Sequence, residues 1–190
     1  MVKFLDALFG RTQPKKPDLD QLFGVPSAAL TLEVAGGFKP TGAGSVCYRA
    51  AEGGAFATTQ ADVQALLDAD DGPSVERVQD EYGYTWLVVR HDPSDMSGLV
   101  TDLHAVNSSL EAAGFGPSLL CSLAVFIDGD GRRLALVYLY KRGSFYPFAP
   151  TGGQQRDNTL ELQVRGMIAN DLRVEQDLSR WFPVWGAPGL

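Results

Sequence analysis

The sequence predicts an α+β domain in which an antiparallel sheet packs against helices. Three observations carry this reading. Pairs of apolar, β-rich runs are joined by Gly/Asp turns, as hairpins require. Capped amphipathic helices stand between those pairs, and no βαβ repetition is present. The expected order is α-β-α-β-β-α-β-β-α, with residues 1–17 as an N-terminal amphipathic segment and linker and residues 18–190 as a single domain. A domain of this length can bury a core without disulfide staples.

The elements follow in chain order. In "KFLDALF" the side chains of Phe4, Leu5, Leu8 and Phe9 form one stripe of a short helix, with Lys3 and Asp6 off it. "GRTQPKKPD" has two prolines and no apolar residue, so it reads as a linker. Ser27 can cap a helix through about Ala35, stopped by Gly36 and Gly37. "SVCYRA" reads as a short strand. Thr59 with Asp62 resembles a capping box for a second helix carrying Val63, Leu66 and Leu67. "SVERVQDEYGYTWLVVRHD" reads as a hairpin or bent strand pair, apolar on both sides of its second half. Asp92 as N-cap and Pro93 at the first helical position open a third helix bearing Leu99, Leu103, Val106 and Leu110 and ending at Gly114. "SLLCSLAVFI" and "RRLALVYLY" flank "DGDG" as a second hairpin. After the loop "PFAPTGGQQ", Asp157 or Asn158 caps a helix with Leu160, Val164, Met167 and Ile168, and a last short helix is expected from Val174 to Trp181.

Charge and motifs bound the function. Net charge is −7, and residues 1–17 carry +3, which leaves −10 for the rest. Such a domain is not expected to bind nucleic acid, so "YKRGSFYPF" reads as a strand end and its loop despite its stacking residue types. The two cysteines, Cys47 and Cys121, have no neighbouring ligand at a zinc or redox spacing, and they read as small apolar residues. "DGDG" opens like a calcium loop, yet Leu139 stands where the twelfth-position Glu is needed. No phosphate loop, dinucleotide fingerprint, nucleophile elbow or zinc-protease motif is found, so neither cofactor nor metal is expected. The acidic residues Asp70, Asp71, Glu76, Asp80 and Glu81 read as a solvated face. The chain is read as non-enzymatic. The alternatives are a small enzyme pairing Cys47 or Cys121 with His91 or His104, and a ligand-sensing domain with a pocket between sheet and helices.

Four long stretches, "PDLDQLFGVPSAALTLE", "GGFKPTGAGSVCYRAAEGGAF", "LVYLYKRGSFYPFAP" and "ANDLRVEQDLSRWFPVWGAPGL", resemble the PspA-associated protein B family (PspAB) of prokaryotes. The resemblance covers nearly the whole chain. It implies a cytoplasmic accessory of phage shock protein A, a membrane-remodelling coiled-coil stress protein, in the envelope stress response. It carries over no active-site residue. The element order is also similar to that of type III secretion chaperone-like and YbjN-like proteins.

Both ends of the chain are candidates for partner or membrane contact. Phe4, Leu5, Leu8 and Phe9, followed by Lys15 and Lys16, suit either an anionic lipid surface or a protein groove. No stretch approaches the roughly 20 apolar residues that span a bilayer, and the resemblance to the PspAB family implies that any membrane contact is peripheral, at the inner surface. The tail "SRWFPVWGAPGL" holds Trp181 and Trp185; Trp181 is expected in the core, and Trp185 and Leu190 either fold back or await a partner. Strands apolar on both sides need two covers, which a homodimer or the chain itself can supply.

Overall fold

A backbone turn at Leu19–Gly24 leads directly into helix α1, Val25–Gly36. Pro26 suits the first turn because its missing N–H has no helical partner there, and Gly37 closes the helix at φ +70°. Ser27 lies inside α1 rather than at its cap. Its hydroxyl donates to Asp171 at 2.6 Å, as the Thr31 hydroxyl does at 2.8 Å, so the two tie the helix to the segment behind it. The computed structural model describes residues 17–49, 53–68 and 75–190.

Strand β1, Lys39–Tyr48, is longer than the pattern "SVCYRA" indicates, because Lys39 and Pro40 already pair with β4 and the ladder resumes at Gly44 after an irregularity that contains Gly42. Helix α2, Gly54–Leu67, likewise starts five residues before Thr59. The early start carries Phe56 into edge contact with Tyr48 and Phe115. Strands β2, Glu76–Gln79, and β3, Thr85–Arg90, form the first hairpin. Helix α3, Met96–Ala112, is capped by Asp95, whose side chain accepts from Gly98 N; Asp92 closes the preceding turn onto Ser94 instead. Strands β4, Leu119–Ile127, and β5, Arg133–Leu139, form the second hairpin, with Asp128 binding the turn amides of Asp130 and Arg132.

"SFYPF" is a full strand, β6, Ser144–Phe148, rather than a loop. It stands last in the sheet order β2-β3-β1-β4-β5-β6, where Pro147 need not supply a donor to a second neighbour. Two short strands, β7, Pro150–Gly152, and β8, Gln155–Arg156, precede helix α4, Asn158–Met167, which Asp157 caps. The expected helix from Val174 to Trp181 is absent. Val174 instead bridges Phe145 in parallel, with Phe145 N donating to Arg173 O and Glu175 N to Phe145 O, and only Leu178–Arg180 turns. The free side of β6 attracts this segment because an unpaired strand edge is a row of unmet backbone groups.

The six-stranded sheet is antiparallel throughout, as an α+β fold requires. Residues alternate across it. Val46, Leu87, Ala124, Leu136 and Tyr138 share the helix-covered face, where Asn107 of α3 donates to Ser122 at 2.8 Å and Tyr138 donates to Asp18 O at 2.8 Å. Cys47, Trp86, Cys121, Val137 and Tyr146 occupy the opposite face and are equally buried. The C-terminal tail of the same chain covers that face: Trp181 stacks on Tyr146, Trp185 meets Phe148 edge to face, and Gly189 lies against Val125. The second cover that the two-sided strands need is therefore intramolecular.

Candidate functional site

The tail is held by polar ties as well as rings. Trp181 donates its indole N–H to Glu175 O at 3.0 Å, and Tyr146 donates its hydroxyl to Phe182 O at 2.6 Å. Arg156 donates to Trp181 O while pairing with the buried carboxylate of Glu161 at 2.8 Å, and Arg133 reaches Gly189 O. Glu175 anchors the start of the tail. Burial works against its charge, but the Arg142 guanidinium, the Asp177 amide and the Ser144 hydroxyl outweigh it and hold its pKa below the usual range.

Along one margin the tail stands off the sheet, and a cleft of about 620 Å³ opens between them. Its floor is the apolar sheet surface at Cys47, Trp86, Cys121, Leu139 and Tyr146. Phe182, Pro183, Val184 and Trp185 of the tail form one wall, and Tyr82 and Tyr84 of the β2–β3 turn form the other. Asp80 shapes that turn by accepting from the Tyr82 and Tyr84 amides and from the Trp86 indole at 2.9 Å. It is therefore a structural group of the cleft as well as part of an acidic run. Lys141, Arg142 and Arg180 stand at the mouth. A more open groove of about 720 Å³ lies beyond Trp185, lined in part by the glycine-rich turn Gly152–Gln154 and by Arg132 and Arg133.

The cleft brings together two residues that are 74 positions apart in sequence. Cys47 and Cys121 are direct cross-strand partners between β1 and β4, both unoxidised and buried. The Cys121 thiol beside it, and then burial, push the Cys47 thiol far above the ordinary range, so it stays protonated at neutral pH. No histidine lines the cleft. The His91 ring lies between Asp102 at 2.7 Å and Asp95 at 3.1 Å, and the His104 ring packs on Phe23 and meets Ser108 at 3.2 Å. The geometry thus assembles a thiol pair, not a Cys/His pair. Among the described residues, no group of three His, Cys, Asp or Glu is placed to hold a metal ion. "DGDG" is the turn of the β4–β5 hairpin.

The model of the family described as PspA associated protein B matches residues 2–189. The chain belongs to the PspAB family. No curated protein and no solved structure matches it, so its place among known proteins rests on that family.

Of the expected contact residues in this PspAB chain, Trp185 and Leu190 are half-buried and pack on their own domain. Phe4, Leu5, Leu8, Phe9, Lys15 and Lys16 lie outside the described residues, as do Asp70 and Asp71. Among the described residues, no helix is long and apolar enough to cross a membrane. Sequence reasoning missed the cleft itself. Its floor depends on the pairing of β1 with β4 across 70 intervening residues, although the aromatic run around "YGYTW" was a signal that one end of β3 would be lined with rings.

Proposed function

We propose that this PspAB protein is a non-enzymatic adaptor that binds phage shock protein A at the inner face of the membrane during envelope stress. The observation that carries the reading is the family match over residues 2–189, whose description names that association. Surface chemistry supports it. Leu30 and Val34, four residues apart on α1 and so on one helical face, are 68% and 89% exposed. An aligned apolar pair on a well-anchored helix suits a protein partner. The N-terminal stripe Phe4, Leu5, Leu8 and Phe9, with Lys15 and Lys16 beyond it, supplies a weak, reversible membrane contact in which each basic residue near an anionic leaflet adds about 1 kcal/mol.

The test is co-elution of the full-length chain with purified phage shock protein A, beside Leu30→Glu/Val34→Glu and Phe4→Asp/Leu8→Asp. A complex is expected with wild type and is expected to be lost in the α1 variant. Absence of a wild-type complex refutes the adaptor reading. Co-sedimentation with anionic liposomes at low and high salt tests the membrane contact separately, since screening weakens lipid attraction and spares apolar docking.

A further inference from the structure

We propose that the cleft beneath the C-terminal tail binds a single-chain anionic amphiphile, a long-chain carboxylate taken up as a free monomer, with its hydrocarbon on the sheet floor and its head group at the Lys141, Arg142 and Arg180 mouth. This goes beyond the adaptor reading and does not depend on it. The volume of about 620 Å³ lies within the usual range for small-molecule sites. The chemistry of the walls selects the occupant.

The interior offers almost nothing to a polar ligand. Asp80 is already engaged by the Trp86 indole and two amides, the Tyr146 hydroxyl is given to Phe182 O, and the floor is otherwise Cys47, Cys121 and Leu139. Strands β3, β1 and β4 are each paired on both sides, so no backbone edge under the cleft can take an added strand. A peptide laid there would bury unmet N–H and C=O groups at a cost of about 1–3 kcal/mol each. An α-helix, about 10–12 Å across with side chains, needs a broad groove rather than a slot beneath a tail. Hydrocarbon carries no such groups and matches the floor.

The mouth has the opposite character. Lys141, Arg142 and Arg180 gather three cations on a domain whose residues 18–190 carry −10. Arg142 gives Nε to Glu175 and Arg180 gives Nε to Asp177, and each guanidinium has further donors to offer an anion. Lys141 is exposed at the same opening. An apolar slot closed by a cationic mouth is complementary to a chain with one anionic end.

Trp86 and both cysteines line the cleft and not the neighbouring groove, whereas Trp185 borders both, so Trp86 quenching together with thiol protection reports on this site. The experiment titrates the full-length protein with brominated octadecanoate below its aggregation concentration and follows quenching of tryptophan fluorescence. Saturable one-to-one quenching is expected, together with slower labelling of Cys121 by a small thiosulfonate reagent. Lys141→Glu, at an exposed position that leaves the core intact, is expected to weaken binding about fivefold, as befits an exposed charge partner. A brominated alcohol of the same length is expected to bind more weakly by a similar factor. Leu139→Arg, placing charge on the floor, is expected to abolish quenching, and Lys141→Glu keeps the test decisive if that variant fails to fold. Quenching that does not saturate, thiol labelling unchanged by ligand, equal affinity for carboxylate and alcohol, or binding to anionic vesicles without binding to monomer would each overturn the proposal.

Discussion

Truncating Trp181 to alanine should cost far more than truncating its neighbour Phe182, and the contrast tests how the tail is held. Trp181 is 6% exposed, stacks on Tyr146 at a ring separation of 6.0 Å and gives its indole N–H to Glu175 O. Phe182 is 60% exposed and contributes mainly its backbone carbonyl, which alanine retains. Removal of a buried Trp costs about 3–5 kcal/mol from lost transfer energy and the cavity left behind. The lost ring pair, about 0.5–1.5 kcal/mol, lies within that figure, and water entering the new cavity can satisfy the Glu175 carbonyl. A loss of about 4 kcal/mol lowers Tm by roughly 8–16 °C in a chain of this size. Phe182→Ala should stay within about 0.5 kcal/mol of wild type. Urea denaturation followed by circular dichroism, with a thermal melt beside it, measures both. A Trp181→Ala cost below about 1 kcal/mol, or equal costs at the two positions, would refute the docking of the tail described above.

Two further outcomes follow from local geometry. Gly42→Ala should destabilise by about 3 kcal/mol or more, because φ is +77° and an added Cβ would fall 2.1 Å from His91 O; Gly129→Ala, whose Cβ meets open space, should change stability by no more than about 0.5 kcal/mol in the same urea assay. For His91, partial burial lowers the pKa but the Asp102 and Asp95 carboxylates outweigh it, so its folded value is raised above 6.5. The stabilisation from that ring is therefore complete below about pH 6.5 and lost as pH rises through the folded value. The stability gap between wild type and His91→Gln should shrink from pH 5.5 to pH 8.5, and a constant gap would show that the ring does not titrate against those carboxylates.

Much of the fold was legible because local chemistry and tertiary context agree along most of the chain. The stripe Leu99, Leu103, Val106 and Leu110 and the turn "DGDG" specify α3 and the β4–β5 hairpin without outside help. Legibility failed where tertiary contacts overrule a local signal. Asp92 has every mark of an N-cap, yet Asp95 takes the role and Asp92 closes a turn. Pro147 argues against a strand only for a central position, and β6 is the last strand in the sheet order. Val174 to Trp181 has helical spacing, but the exposed backbone of β6 binds Arg173 to Glu175 in extended form, and that pairing outweighs a helix of eight residues.

The candidate site was less legible, for a reason that lies in the sheet itself. The two-sided apolar pattern of the central strands states that a second cover exists, and the aromatic tail states that something there must be buried. Neither states that the tail supplies the cover or that it leaves a cleft at one margin. That outcome depends on register: Cys47 opposite both Trp86 and Cys121 puts the thiols and the indole on one floor, whereas a shift of one residue would turn Val46 or Tyr48 to that side. The same register sends Tyr48 to the helix face, where it meets Phe56. One pairing choice therefore sets both the core beneath the helices and the lining of the cleft. The tail then converts a sheet face into a site, because Pro183 prevents the turn at Leu178–Arg180 from continuing and sends Val184 and Trp185 across the sheet as a wall.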